Sequence, residues 1–419
     1  MNLHAVEIDD FRVLLDPNNN FWAICDGEVP EEILRTYREL KSELDAKMER
    51  YRFEVDFNTV YVNITEKCNA NCPYCYIPHE VRKSGKEMDL ELLKALFNSF
   101  AELGVRNVVF HGAEPLLAKE KIFEAVDDFA NDFNFGIQTN AFLLEEEDSE
   151  FIKKRGINLG ISFDSVRESV EDFLRGKGHF EKIREVLDWF KGYRSIHVIT
   201  TITSYNFNEL TEIVDYLAGK VELILMNPVR GTSLGGRKLR PDPEASAEQF
   251  IKAVDRAIWH TKNGRRIAIG DFANLLLGIV SPYSRVLQCD ISPCGGGRRF
   301  FAVTPEGIFP CSEFVGFREF REPISVLADL DRFKQGFEKV RNRKVELIEE
   351  CRECIYRNIC GSPCPAEVYA EKGNLMQKSP FCDFYRIVIE HAFKVIRRGD
   401  LVNVLRLERL RKVYEISEP

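Results

Sequence analysis

Three cysteines within eight residues, Cys68-Asn69-Ala70-Asn71-Cys72-Pro73-Tyr74-Cys75, are the densest chemical signal in this 419-residue chain. Eight more follow between positions 289 and 382: Cys289, Cys294, Cys311, Cys351, Cys354, Cys360, Cys364 and Cys382. Soft thiolates select zinc, copper(I) or iron-sulfur clusters. A structural zinc ion normally takes four ligands in two separated pairs. A 4Fe-4S cluster held by three cysteines instead leaves one iron open to a substrate or cofactor, as a catalytic metal site requires. Zinc with a remote fourth ligand, or three buried free thiols, are the other readings of the triplet. The later run is spaced Cx2C-x5-Cx3C, then 17 residues and a last cysteine; a zinc-ribbon pair on Cys351/Cys354 and Cys360/Cys364 is its plainer reading. Cys25 stands alone and reads as a small buried hydrophobe.

The triplet needs a scaffold, and residues 56–240 supply a pattern for one. Six β-type runs, Thr59 to Thr65, Arg106 to His111, Phe135 to Thr139, Ile157 to Phe163, Ile196 to Ile202 and Val221 to Met226, alternate with amphipathic stretches. Those stretches, such as Leu90 to Leu103, Lys121 to Phe133, Phe180 to Phe190 and Asn208 to Leu217, are long enough to cross between parallel strands. Six units fall short of the eight in a closed barrel. The pattern therefore predicts an α/β fold with a partial (β/α)6 barrel and its chemistry at the carboxyl ends of the strands, where the cysteine triplet follows the first run.

Around that body lie four further segments. Residues 1–55 read as a cap, with an apolar segment at Phe11 to Leu15 and a helix from Glu31 to Arg50 whose stripe is Ile33, Tyr37, Leu40, Leu44 and Met48. Residues 241–285 read as a connecting helical segment, and 286–385 as a cysteine-rich domain held by metal more than by a large apolar core. The tail, 386–419, reads as a helix, with the helical pattern running from Phe384 to Val413.

Composition removes several functions. With 44% hydrophobic and 30% charged residues the chain is globular. A net charge of −9 provides no global field for nucleic acid, although Arg230, Arg237, Lys238 and Arg240 form a local basic patch. The longest apolar runs, Val221 to Met226 and Leu275 to Val280, are far below the ~18 residues that span a bilayer. Met1 to Asp10 lacks the pattern of a signal peptide, so the cytoplasm, where disulfides are rare, is the expected compartment.

The triplet, with Tyr74 before its last cysteine, resembles the CxxxCxxC signature of the radical S-adenosylmethionine (SAM) superfamily. His111-Gly112-Ala113-Glu114-Pro115 ends the second strand and is similar to that family's Gly-Gly-Glu-Pro segment, with Ala113 for the second glycine. By the resemblance this segment binds the methionyl amino group of SAM. Gln138, Thr139 and Asn140 match polar positions near the ribose, and Ser162 and Arg175 match positions that hold the methionyl carboxylate. The resemblance implies that SAM chelates the open iron and is reductively cleaved to a 5'-deoxyadenosyl radical that takes hydrogen from a substrate, with the protein supplying position and electronics.

The later cysteines resemble the SPASM domain of radical SAM peptide-modifying enzymes. That resemblance implies two auxiliary 4Fe-4S clusters, one on Cys289, Cys294, Cys311 and Cys364, the other on Cys351, Cys354, Cys360 and Cys382, making three with the triplet's. The pairing is crossed, since Cys364 leaves its sequence neighbours. Gly307 lies one residue closer to Cys311 than is usual in the family. The resemblance further implies a ribosomally made peptide with a leader segment as substrate, a thioether crosslink as the product, and reduced ferredoxin or flavodoxin as electron donor. Residues 1–55 are too short for a complete leader-binding domain, so a trimmed clamp or a plain cap is expected there. Where the sulfatase-activating branch has a catalytic Asp, this chain has Ser312, followed by Glu313, a candidate base. Dehydrogenation or epimerisation of a residue or small metabolite, and a non-catalytic multi-cluster electron carrier, are the competing readings.

Overall fold

The computed structural model describes residues 3–406. The segment expected to continue the tail helix to Val413, and residues 407–419 as a whole, lie outside the described residues.

Six parallel strands form the body: β4 (Thr59–Val62), β5 (Asn107–Phe110), β6 (Asn134–Thr139), β7 (Asn158–Ser162), β8 (Ile196–Ile202) and β9 (Leu223–Pro228). Each pairs with the next in register, Val60 against Val108 and Val108 against Phe135, for example. They stand where the alternating pattern placed them to within three residues at either end: β4 stops three residues short, β6 begins one residue early and β9 is shifted two residues on. The period of two is what makes them a wall with two faces. Val60, Val62, Val108 and Phe110 are buried against the helices, while Tyr61, Gln138, Ser162, Thr201 and Asn227 turn to the interior.

Helices make every crossover. After α1 (Glu31–Phe53) and the short α2 (His79–Ser84) come α3 (Leu90–Glu102), α4 (Lys119–Asp128) and α5 (Glu146–Arg155). Then follow α6 (Glu168–Arg175), α7 (His179–Trp189) and α8 (Leu210–Leu217). Asp89 starts α3 by accepting the Leu92 amide at 2.7 Å, and Leu93, Leu96, Phe97 and Phe100 form its buried stripe. After the last barrel strand comes the short α9 (Leu234–Lys238), and the connecting segment contains α10 (Pro243–Lys262), a two-residue strand β10 (Ala268–Ile269) and α11 (Gly270–Val280).

The sheet does not end at the six strands. Its order is β10-β9-β8-β7-β6-β5-β4-β11-β12, where β11 (Phe300–Thr304) and β12 (Gly307–Phe309) form a hairpin inside the cysteine-rich segment. β11 runs parallel to β4, Phe300 opposite Thr59, so the cysteine-rich segment is built onto the barrel wall. β10 and β12 are the two edges, and the barrel stays open between them.

The cap holds more strand than its composition suggests: β1 (His4–Ile8), β2 (Phe11–Leu15) and β3 (Trp22–Cys25) form an antiparallel sheet. Of the expected stripe on α1 only Tyr37 and Met48 are buried, and Leu40 is 40% exposed. The end of α1 instead grips the cysteine-rich segment. Arg52 pairs with Glu346 at 2.8 Å and donates to the Ser292 carbonyl, and Arg298 donates to the Tyr51 carbonyl at 2.8 Å. Among the described residues no helix is long and apolar enough to cross a membrane.

Candidate active site

A cavity of about 440 Å³ opens at the carboxyl ends of β4 to β9 and is shared between the barrel and the cysteine-rich segment. Cys68, Cys72 and Cys75 line it from the loop after β4, and Cys289, Cys294, Cys311 and Cys364 line it from the other side. The triplet loop is tightened by the Cys75 amide bonding to the Cys72 carbonyl at 3.2 Å, and the Asn140 side-chain amide donates to Asn69 at 2.8 Å. Burial pushes the Cys68 thiol up to about 11 and raises Cys72 and Cys75, so binding a metal there must displace protons.

Of the ten residues matched to SAM contacts, Tyr74, Gly112, Ala113, Gln138, Thr139, Asn140, Ser162 and Arg175 line the cavity. Gly112 has φ +74°, and a Cβ there would stand 2.1 Å from the Asn63 side chain, so only glycine lets the backbone turn at the end of β5. Glu114 and Pro115 stand behind this wall. Glu114 is 1% exposed, and its carboxylate accepts from the Thr139 hydroxyl, the Asn140 amide and the Leu116 amide at 2.6, 2.9 and 3.0 Å. It joins the ends of β5 and β6, holding Thr139 and Asn140 in place.

Arg175, the last residue of α6, is held by Asp164, which its Nε and Nη2 meet at 2.7 and 3.1 Å. Asp164 is fully buried and also takes the Tyr74 hydroxyl and the Thr201 amide. The guanidinium lies 5.3 Å from the Tyr74 ring centroid and beside Cys72. One fixed cation thus sits between the triplet and the end of β7, where an anionic group would be met without reorganisation. Asp164 itself carries no motif and was not singled out from sequence.

The far wall holds charges that the motifs did not mark as a group. Arg230, after β9, faces Glu313, Asp271, Cys289 and Cys364, and meets Tyr385 at 3.4 Å and Glu367 at 3.6 Å. Glu367 is fully buried and accepts from the Gly231 amide at 2.7 Å and from Arg240 at 2.8 Å, which fastens the helix Pro365–Lys372 to the barrel exit. Glu313 accepts from Thr232 at 3.2 Å, and burial pushes it up to about 7. Asp271, at the start of α11, accepts the Met226 amide at 2.6 Å and is likewise pushed by burial up to about 7. Two cavity carboxylates therefore hold or release a proton near neutral pH. Asp271 had one faint sequence signal, its place after a short strand at the barrel's open end.

The eight later cysteines separate into two neighbourhoods by the charges each thiol feels. Cys289 and Cys311 feel Cys294 and Cys364. Cys351 and Cys360 feel Cys354 and Cys382. These charges group Cys364 with Cys289, Cys294 and Cys311, the crossed arrangement. Among the described residues no three Cys, His, Asp or Glu side chains stand close enough to share one ion. A cubane cluster asks for wider spacing, since each thiolate takes a different iron. The chemistry of the donors, three cysteine thiols on one loop beside the cavity, fits an iron-sulfur cluster at Cys68, Cys72 and Cys75.

A sequence profile of the radical SAM superfamily matches residues 62–217. The chain is 56% identical over 416 residues to an uncharacterised protein of Archaeoglobus fulgidus, covering 99% of this chain and 100% of that one. It is 27% identical over 339 residues to the PqqA peptide cyclase of Bradyrhizobium diazoefficiens, covering 77% of this chain and 85% of the relative. Among solved structures it is similar in fold to anSMEcpe with bound AdoMet and Cp18Cys peptide, with a TM-score of 0.67 at 19% identity over 82% of this chain and 98% of that one. It is also similar to Streptococcus suis SuiB bound to its precursor peptide SuiA, with a TM-score of 0.62 at 13% identity over 91% and 98%.

Proposed function

We propose that the chain, matched over residues 62–217 by the radical SAM superfamily profile, is a radical SAM enzyme whose substrate is a ribosomally synthesised peptide and whose product is a crosslink, with a thioether as the bond formed. The observation that carries this reading is one cavity lined at once by the three-cysteine loop and by four cysteines of the later set. The relatives and fold neighbours named for a peptide support the substrate class.

In this reading Cys68, Cys72 and Cys75 hold the SAM-binding cluster, and the two later sets of four hold auxiliary clusters in a domain over 286–385. Bound there, SAM and the clusters supply a hydrogen-atom acceptor and one-electron exchange with a donor such as reduced ferredoxin or flavodoxin. The chain supplies the rest. Gly112, Ala113, Gln138 and Ser162 shape the cofactor's seat, and Arg175, fixed by Asp164, meets its carboxylate. Thr139 and Asn140, fixed by Glu114, line the adenosyl side. Closing a thioether removes two hydrogens from the peptide, and Glu313, helped by Asp271 across Arg230, takes the one that leaves as a proton. The cavity walls keep water from the reacting carbon.

The test is mass spectrometry of a short peptide encoded beside this gene, after co-production with the enzyme. A thioether gives loss of two hydrogens together with one fewer thiol that iodoacetamide can cap. Loss of two hydrogens with every thiol still reactive would replace the thioether by a carbon-carbon crosslink or a dehydrogenation, and an unchanged mass with inverted stereochemistry would replace it by epimerisation.

A further inference from the structure

Arg343 is among the largest side chains that are fully buried, at 1% exposure. Its Nε donates to the Leu375 carbonyl at 2.7 Å, and its Nη2 to the Gln377 carbonyl at 2.9 Å and the Ser362 hydroxyl at 3.2 Å. All these acceptors are neutral, and no carboxylate pairs with it among the described residues. A buried guanidinium without a counter-ion costs several kcal/mol, so its charge must be met by something else. Its hydrogen bond to Ser362 holds it beside the stretch between Cys360 and Cys364, and the cysteines whose charge bears on it are Cys294 and Cys364 of one set and Cys351 and Cys360 of the other. Ser362 joins the same arrangement. It lies between Cys360 and Cys364, which part to different sets, and its hydroxyl also reaches Cys351.

We propose that Arg343 is a counter-ion shared by the two auxiliary sets, one positive charge that stabilises the reduced form of both clusters and sets their potentials together. The proposal rests on the reading that both sets hold clusters. A cluster with four thiolates is a net anion and becomes more so on gaining an electron, and burial and charge near a cluster are known levers on its potential. At 1% exposure the guanidinium is scarcely screened by salt or water, so its field reaches both sets. Arg298 offers an internal comparison. It is equally buried and donates to the Tyr51 and Pro293 carbonyls, and the thiol whose charge bears on it most is Cys294. Its charge bears chiefly on the first set.

The experiment uses full-length, anaerobically reconstituted protein in which Cys68, Cys72 and Cys75 are all Ala, so that the remaining iron belongs to the two later sets. Midpoint potentials are read by dithionite titration with mediators and electron paramagnetic resonance. Arg343→Gln should move both midpoints to more negative potential, each by a tenfold change in the one-electron equilibrium, about 59 mV. Arg343→Lys, which keeps the charge but loses the fork, should move both in the same direction by less. Arg298→Gln should move one midpoint and leave the other. If Arg343→Gln fails to hold iron, Arg343→Lys decides alone. Movement of only one midpoint, or of neither, with iron retained overturns the proposal. A parent that binds fewer than about eight irons overturns the two-cluster reading itself, and the proposal with it.

Discussion

Glu114 accepts the Thr139 hydroxyl at 2.6 Å from a position behind the cavity wall, so the acidic residue of the Gly-Ala-Glu-Pro turn acts on the site through its neighbours. Glu114→Ala would leave the Asn140 and Leu116 amides without their acceptor, each such loss costing about 1–3 kcal/mol. Part of that cost reappears as a misplaced Asn140. SAM affinity should fall by about tenfold, the equivalent of 1.4 kcal/mol, with iron content unchanged. Equilibrium dialysis against labelled SAM, with an iron assay on the same samples, measures both. A variant that loses iron but binds SAM normally would reverse the assignment.

Substituting Cys68, Cys72 and Cys75 together by Ala should lower bound iron from about 12 to about 8 per chain and leave the fold intact. The two later sets keep all their thiolates, and β11 stays fixed to β4 by the sheet rather than by the triplet. Iron analysis with circular dichroism checks this. Loss of all iron would mean that the three sites do not assemble independently.

The barrel was legible because its strands carry a period of two and its helices a stripe. Ile196 to Ile202 is found with the bounds its pattern gives, and α3 stops one residue short. The hairpin was hidden for a physical reason. Phe300 to Thr304 is buried at all five positions, so it shows no alternation, and its partner β4 lies some 240 residues earlier. Nothing local marks a pairing of that range. The same holds at the site: Cys68, Cys72 and Cys75 announce themselves by spacing, whereas Asp164, Asp271 and Arg343 are single residues given meaning only by what folds against them. Ser162 and Arg175 were visible through resemblance, but the carboxylate that fixes Arg175 was not.

Asp271 sets a pH dependence of stability. Burial lifts its folded-state pKa from the ordinary 3.8 to about 7, so between these values the unfolded chain has lost the proton and the folded one keeps it. Stability from this group is therefore full at low pH and is lost as pH rises toward 7, levelling off above it. Asp271→Asn can still accept the Met226 amide and has no proton to lose. Its melting temperature should gain on the parent's from pH 5 to pH 7, by up to about 3 kcal/mol in stability, and run parallel above. A difference that does not change with pH would show that the carboxyl is ionised throughout.

The last prediction separates structure from electron flow in the second cysteine set. Cys382 opens the helix Cys382–Arg397, whose buried face of Phe384, Val388 and Ile389 packs against α10 and α11. That packing does not depend on the thiol, so Cys382→Ala should keep its fold by circular dichroism. If the second set serves only as a staple, a folded variant should crosslink peptide at the parent's rate. If it is the route by which the substrate's remaining electron leaves, SAM cleavage to 5'-deoxyadenosine should persist in the presence of peptide while crosslinked product falls by tenfold or more, about 1.4 kcal/mol or more in the barrier. Both products are measured in one reaction by mass spectrometry, so the ratio of product to 5'-deoxyadenosine is free of differences in enzyme concentration. A ratio equal to the parent's, in a folded variant that has lost about four irons, would leave the second set a structural element.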